Sequence, residues 1–306
     1  MIGQQGNLDN TGNTERISVG QARIVDRGYQ HYTGTRLGVS HTFSVMTWAA
    51  ARRGLGLRRP FRDKILPWSL IGIAFLPTAA FLLIQVISRG ALGKATLYPP
   101  IFNNLALFYL LFAGLVAPDL ICADRRMKVV SLYFASPIRR IHYIGAQVLA
   151  LVSLLSLLTV LPLLLLFIGN ALLADSAANY VRDHAGDLWH LLVGGLLMAT
   201  FYSVLALAVS SFTDRRPYAS GYFLGLALIS SVVSTVIARG MNFNGHEWFV
   251  LLDLWQLPVY VVDWFFGATH PNIRLSLTGG PYLIAALVII ALAFAALVWR
   301  YMEVKD

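Results

Sequence analysis

Few residues in this chain are of a kind that does chemistry, and their spacing assembles no catalytic set. The seven histidines, His31, His41, His142, His184, His190, His246 and His270, fall in tails, loops or the ends of apolar runs. A zinc or two-haem centre needs ligands that converge from a few fixed spacings, which this scatter does not offer. No His-Glu-x-x-His motif, adjacent glutamate pair or Gly-x-Ser-x-Gly elbow occurs. Metal-assisted hydrolysis and serine acyl transfer therefore lack their usual residues. The stretch GALGKA, Gly90 to Ala95, imitates part of a phosphate loop but lacks its first spacing and its closing Ser/Thr. The single cysteine, Cys122, has no partner for an internal disulfide, and its apolar neighbours assign it to packing. Asp119, which follows Pro118 near the end of an apolar run, is the one ionisable residue at that depth and reads as structural.

What must position these residues is a membrane domain. Hydrophobic residues make up 57% of the chain and charged residues 13%, outside the range of a soluble protein. A spanning helix needs about 20 apolar residues, because its backbone must pair internally across the hydrocarbon. Six runs qualify: Ile65 to Ile87, Ile101 to Cys122, Tyr143 to Gly169, Leu188 to Ser211, Tyr218 to Ile237 and Pro281 to Trp299. The start, Met1 to Asn13, is polar and Gly/Asn-rich and reads as a tail without a signal peptide, disordered to about Arg23. The segment Arg27 to Gly38 is punctuated by aromatic residues and glycines and matches no chemical motif.

The net charge of +9 raises nucleic acid as a partner, so its distribution decides. With the amino terminus in the cytoplasm, 19 of the 24 Lys/Arg lie on cytoplasmic segments, leaving Arg89, Lys94, Arg182, Arg239 and Arg274 outside. The positive-inside rule then accounts for the basicity, puts both termini in the cytoplasm and leaves no case for nucleic acid. Before the first span, Phe43, Met46, Ala50, Gly54 and Leu57 share one helix face, with Arg52, Arg53, Arg58 and Arg59 largely off it. That pattern predicts an interfacial helix in the cytoplasmic leaflet whose arginines reach anionic lipid. In the long loop after the fifth span, Asp253, Pro258 and Asp263 interrupt an apolar stretch rich in tryptophan, which predicts two short re-entrant helices in place of a seventh span.

One basic segment remains, between the second and third runs. In ADRRMKVVSLYFASPIRR, Asp124 and Lys128 are spaced i, i+4, and Met127, Val130 and Phe134 share a face, which predicts a short amphipathic helix ended at Ser136 and Pro137. A helix held under the membrane between two spans is a lever on both. The polar residues of the spans that could line a pathway are Asn103, Asn104, Thr200, Ser203, Ser230 and Ser234; they bridge helices as readily. GYFLG, Gly221 to Gly225, is a small-xxx-small pattern that permits close helix approach.

An acidic residue followed by Arg, a short helix, then Ser/Thr-Pro and a basic residue, between spans two and three, resembles the permease subunits of the ABC-2 transporter family. The resemblance extends over about Arg36 to Arg300. Asp124 stands where Glu is more usual. The resemblance implies an all-helical membrane protein: a cytoplasmic tail (1–35), an amphipathic leaflet helix (36–64), a six-span permease domain (65–300) with re-entrant helices between spans five and six, and a cytoplasmic end (301–306). It implies that Asp124, Arg125, Arg126, Ser136, Pro137 and Arg139 belong to a coupling helix that docks on a separate ABC ATPase subunit. It further implies that Gly221 and Gly225 sit at an interface with a second permease subunit, identical or related. The chain would then export a lipophilic or amphipathic substrate across a bacterial plasma membrane, among membrane lipids and without a cofactor of its own, ATP and magnesium being bound by the partner. The competing class is a membrane-embedded enzyme or channel that acts without an ATPase.

Overall fold

The computed structural model describes residues 38–57, 61–87, 98–126, 139–174, 176–240, 245–268 and 279–303. Every regular element among them is helical. In chain order they are α1 (Val39–Gly54), α2 (Phe61–Ile87), α3 (Tyr98–Arg126), α4 (Arg140–Thr159), α5 (Leu161–Leu173), α6 (Ala177–Asp183), α7 (Ala185–Ser210) and α8 (Arg216–Gly240). A 3-10 helix (His246–Leu252), α9 (Leu257–Phe265) and α10 (Gly280–Glu303) follow. Six stretches of the described residues are long and apolar enough to cross a bilayer: Ile65–Ile84, Tyr98–Arg126, Arg140–Leu173, Ala185–Ser210, Arg216–Ala238 and Gly280–Met302. They overlap the six runs read from the sequence, with every boundary within about a turn of the one expected.

That third stretch is two helices. Pro162 has no N–H to donate to the carbonyl four residues back, so the ladder breaks there and the chain resumes as α5. At the break Thr159 donates to the carbonyl of Gly195 on α7 at 3.0 Å. The approach needs glycine, since a Cβ on Gly195 would stand 2.8 Å from Val160. A polar hydroxyl is thereby satisfied inside an otherwise dry interface.

α3 and α7 are the axis of the bundle. Their apolar windows are 72% and 67% buried, against 17% for α8 and for α10. Tyr109, Phe112, Phe201 and Tyr202 fill the centre, with small Ala106, Ala113, Ala199 and Ala206 letting the backbones close in. α2 and α8 both pack on α3, while α10 packs on α7. The rest of the surface of α2, α8 and α10 is apolar and exposed, as with Leu76, Ile229 and Leu292.

Two elements run against this bundle without crossing it. α1 lies along α4: the Phe43 ring packs on Gly145, and Gly54 is packed between Leu154 and Val116. Gly54 is thus level with residues seven or eight positions along α4 and α3 from Gln147 and Asp124, roughly 10–12 Å at the helical rise. The second element is the pair formed by the 3-10 helix and α9. Leu254 N–H donates to Ser230 Oγ at 3.2 Å, ten residues or about 15 Å from the end of α8. Phe266 has returned to the start of α3, where its ring stacks on Tyr98 at 5.7 Å.

Candidate functional site: the Asp124 end of the bundle

One cluster of polar and charged residues lies where α3 ends and α4 begins. Asp124 is fully buried there. Arg53, the next-to-last residue of α1, pairs with its Oδ1. Tyr143 Oη donates to Oδ2 at 2.8 Å and Gln147 Nε2 to the same oxygen at 3.4 Å. The backbone of Arg53 sits well inside the level of Asp124, so the guanidinium reaches back toward the helix ends while its stem covers apolar surface. One carboxylate therefore joins α1, α3 and α4, each of its oxygens engaged, as a buried charge requires.

Arg125, one residue on, points the other way. Its guanidinium donates to the carbonyl of Ser211, and its Nε lies 3.1 Å from Asp214 Oδ1. Ser211 follows the last turn of α7, whose carbonyls have no partner within the helix, so a cation there both caps them and answers the helix dipole. Arg140 does the same for α10: it donates to the carbonyls of Tyr301 and Met302 at 3.2 and 3.1 Å. Arg216, in the first turn of α8, pairs with Asp119 at 2.7 Å. The Cys122 thiol is buried and faces the carbonyl of Thr213 at 3.3 Å, which fits the packing role read for it. The residues on either side of 127–138 are thus tied by charge or hydrogen bond to α1, α7, α8 and α10.

Of the coupling residues expected from the sequence, Asp124, Arg125, Arg126 and Arg139 are described, and Ser136, Pro137 and the short helix lie outside the described residues. Asp124 and Arg125 face the bundle through the contacts above; Arg126 ends α3 exposed, and Arg139 precedes α4 exposed. The pathway residues do not share one surface. Asn104 is exposed and Asn103 half-buried on α3, while Ser203 and Ser234 are buried. Thr200 donates to its own helix at Leu196. Ser230 receives Leu254 N–H, and Ser231 donates to Asp253 at 3.1 Å. Gly221 and Gly225 have nothing within 4 Å of where a Cβ would stand, on a face of α8 shared with exposed Tyr218, Tyr222 and Ile229.

No family model matches the chain, and no curated protein matches it. The Asp124 end must therefore be read on its chemistry. Among its described residues, no three His, Cys, Asp or Glu side chains stand close enough to share a metal.

A second polar centre holds the turn before α9. Asp253 Oδ1 accepts from the N–H of Trp255 and Gln256 at 3.1 and 3.0 Å, closing the turn that leads into α9. Burial pushes this carboxyl up, opposed by those N–H groups and by the Ser231 hydroxyl. Tyr202 of α7 donates to the Trp255 carbonyl at 2.7 Å, fixing the same turn from its other side. Asp263, on α9, is buried, and burial pushes its carboxyl up to about 7.

The sequence signalled that Asp124 and Arg125 matter but not with whom. Arg53 is 71 positions from Asp124 and Ser211 is 86 from Arg125, separations over which no periodicity speaks. A retrospective signal was present: Tyr143 and Gln147 are polar at i, i+4 on an otherwise apolar run, facing the same carboxylate.

Proposed function

We propose that the chain is the permease subunit of an ABC exporter of the ABC-2 type, driven by a separate ATPase and moving a lipophilic or amphipathic substrate. The observation that carries the reading is the polar network at the Asp124 end. A segment of about twelve residues, 127–138, has both flanks tied to the ends of other helices through Asp124, Arg125 and Arg140. Push on that segment, and α1, α7, α8 and α10 move with α3 and α4. An enzyme or an unassisted channel has no use for such rigid coupling of a loop to the helices around it.

On this reading the Asp124 end is cytoplasmic, as the charge asymmetry requires. α1 dips into the cytoplasmic leaflet, and the 3-10 helix with α9 is a re-entrant pair entering from outside, its turn held at depth by Asp253, Ser230 and Tyr202. Asp124 and Arg125 anchor the coupling segment, and the residues of 127–138 with Arg126 and Arg139 meet the ATPase. The dimer forms through the exposed apolar faces of α2 and α8, which flank α3, with Gly221 and Gly225 at the closest approach. Magnesium and ATP bind only the partner.

The test is Lys128→Glu and Pro137→Leu in complexes reconstituted with the ATPase. Reversing a charge at a complementary contact costs up to several kcal/mol. The account expects loss of substrate-stimulated ATP hydrolysis with insertion and stability unchanged, and no effect of Arg182→Glu on α6. Normal stimulation in both variants removes the coupling assignment.

A further inference from the structure

We propose that the groove between α1 and α4 is a binding site for one anionic phospholipid, its acyl chain along Leu149 and Leu157 and its phosphate on Arg52. The groove encloses about 500 Å³, with Phe43, Thr47 and Trp48 on one wall and Leu149, Ser153 and Leu157 on the other. That is the size of a ligand cleft, about 300–1,000 Å³. Its hydroxyls are already engaged within their own helices. Ser44 donates to the His41 carbonyl at 2.8 Å, Thr47 to Phe43 at 2.9 Å and Ser153 to Leu149 at 2.7 Å. What the walls present is hydrocarbon, which selects an alkyl chain over a polar solute.

Arg52 is the polar exception. Its neighbour Arg53 turns inward to Asp124, whereas the Arg52 guanidinium lies over the Trp48 ring, 5.7 Å from its centre, at the edge of the groove. Among the described residues no carboxylate pairs with Arg52. Neither α1 nor α4 contains an Asp or Glu. A phosphate therefore meets positive charge with no competing acid on either wall. Position argues for a lipid over a free anion. Leu149 and Leu157 are 46% and 39% exposed on the Arg140–Leu173 stretch that is apolar enough to cross a bilayer. Trp48, 65% exposed, is the ring type that favours headgroup level. This inference is independent of the ATPase reading, since it uses only α1 and α4.

The experiment is native mass spectrometry of the full chain with phosphatidylglycerol or phosphatidylcholine of identical acyl chains. Wild type should retain one phosphatidylglycerol with a preference of about fivefold or more, the equivalent of ~1 kcal/mol for one basic residue at a membrane surface. Arg52→Gln should bring the ratio near one. Leu149→Trp, which fills the groove from an exposed position, should abolish retention of both lipids; Leu157→Phe serves the same purpose if that variant does not fold. Arg182→Gln is the unaffected control. Glycerol phosphate in excess should not displace the lipid. The proposal is overturned by a preference that survives Arg52→Gln, by retention that survives filling of the groove, by displacement with glycerol phosphate, or by a wild type that retains no lipid.

Discussion

Asp124→Ala should be among the most destabilising single substitutions in this chain, and the structure says by how much. The change removes the one fully buried carboxylate that Arg53, Tyr143 and Gln147 share as an acceptor. Breaking a buried ion pair from one side costs about 3–5 kcal/mol. Arg53 is 30% exposed on its side chain and can turn to water, which reduces its share. The Tyr143 hydroxyl is buried and cannot, so losing this acceptor costs about 1–3 kcal/mol. The net expectation is about 3–4 kcal/mol, on the order of a 6–12 °C fall in the unfolding midpoint for a domain of this size. Asp124→Asn, which keeps acceptors but not charge, should fall between. The assay is thermal unfolding in mild detergent of Asp124→Ala, Arg53→Ala and the double variant. The cycle should show coupling, the double variant being less destabilised than the sum of the two single changes. Additive effects, or an Asp124→Ala midpoint within about 2 °C of wild type, would refute the reasoning that this carboxylate joins α1 to the bundle.

Three further outcomes are expected. Because burial raises the Asp263 carboxyl to about 7, above its ordinary value, the folded state holds that proton more tightly than the unfolded chain. Stability should therefore be greatest below the ordinary carboxylate range and decline as pH rises through about 7, and Asp263→Asn should flatten the slope between about pH 5 and about pH 8 in the same unfolding assay. Gly221→Leu and Gly225→Leu meet open space and should leave the unfolding midpoint unchanged while lowering the dimer fraction seen by crosslinking in vesicles; Gly54→Leu, whose Cβ would stand 2.7 Å from Leu154, should instead cost about 1–3 kcal/mol. Arg140→Ala, by uncapping Tyr301 and Met302, should raise hydrogen exchange in the last turn of α10 without changing that of α7.

Much of the architecture was legible because hydrocarbon imposes one rule everywhere: a long apolar run must be a helix. The six spans follow from it, and Pro258 with Asp253 and Asp263 marked the stretch that does not continue as a seventh. What composition could not mark was the break at Val160, since a proline near a helix start and one inside a helix look alike in sequence, and Pro67, Pro77 and Pro118 all lie within unbroken helices. The site was half legible. Asp124 and Arg125 stood out by position, yet their partners come from α1 and from the α7–α8 connection, and only folding brings those together. Their place in a docking helix was implied by the resemblance alone, and spacing carries no information about which of two adjacent side chains turns in.

The account's central claim is that this chain works with a separate ATPase. The measurement that tests it most directly is purification of the full chain from its native membranes in mild detergent, followed by identification of co-purifying subunits by mass spectrometry and of ATP hydrolysis in the preparation. The account predicts an ATP-binding subunit in equal number with the permease, lost when Lys128 is changed to Glu. A chain that purifies without such a subunit, and that carries out transport or turnover alone, would contradict it.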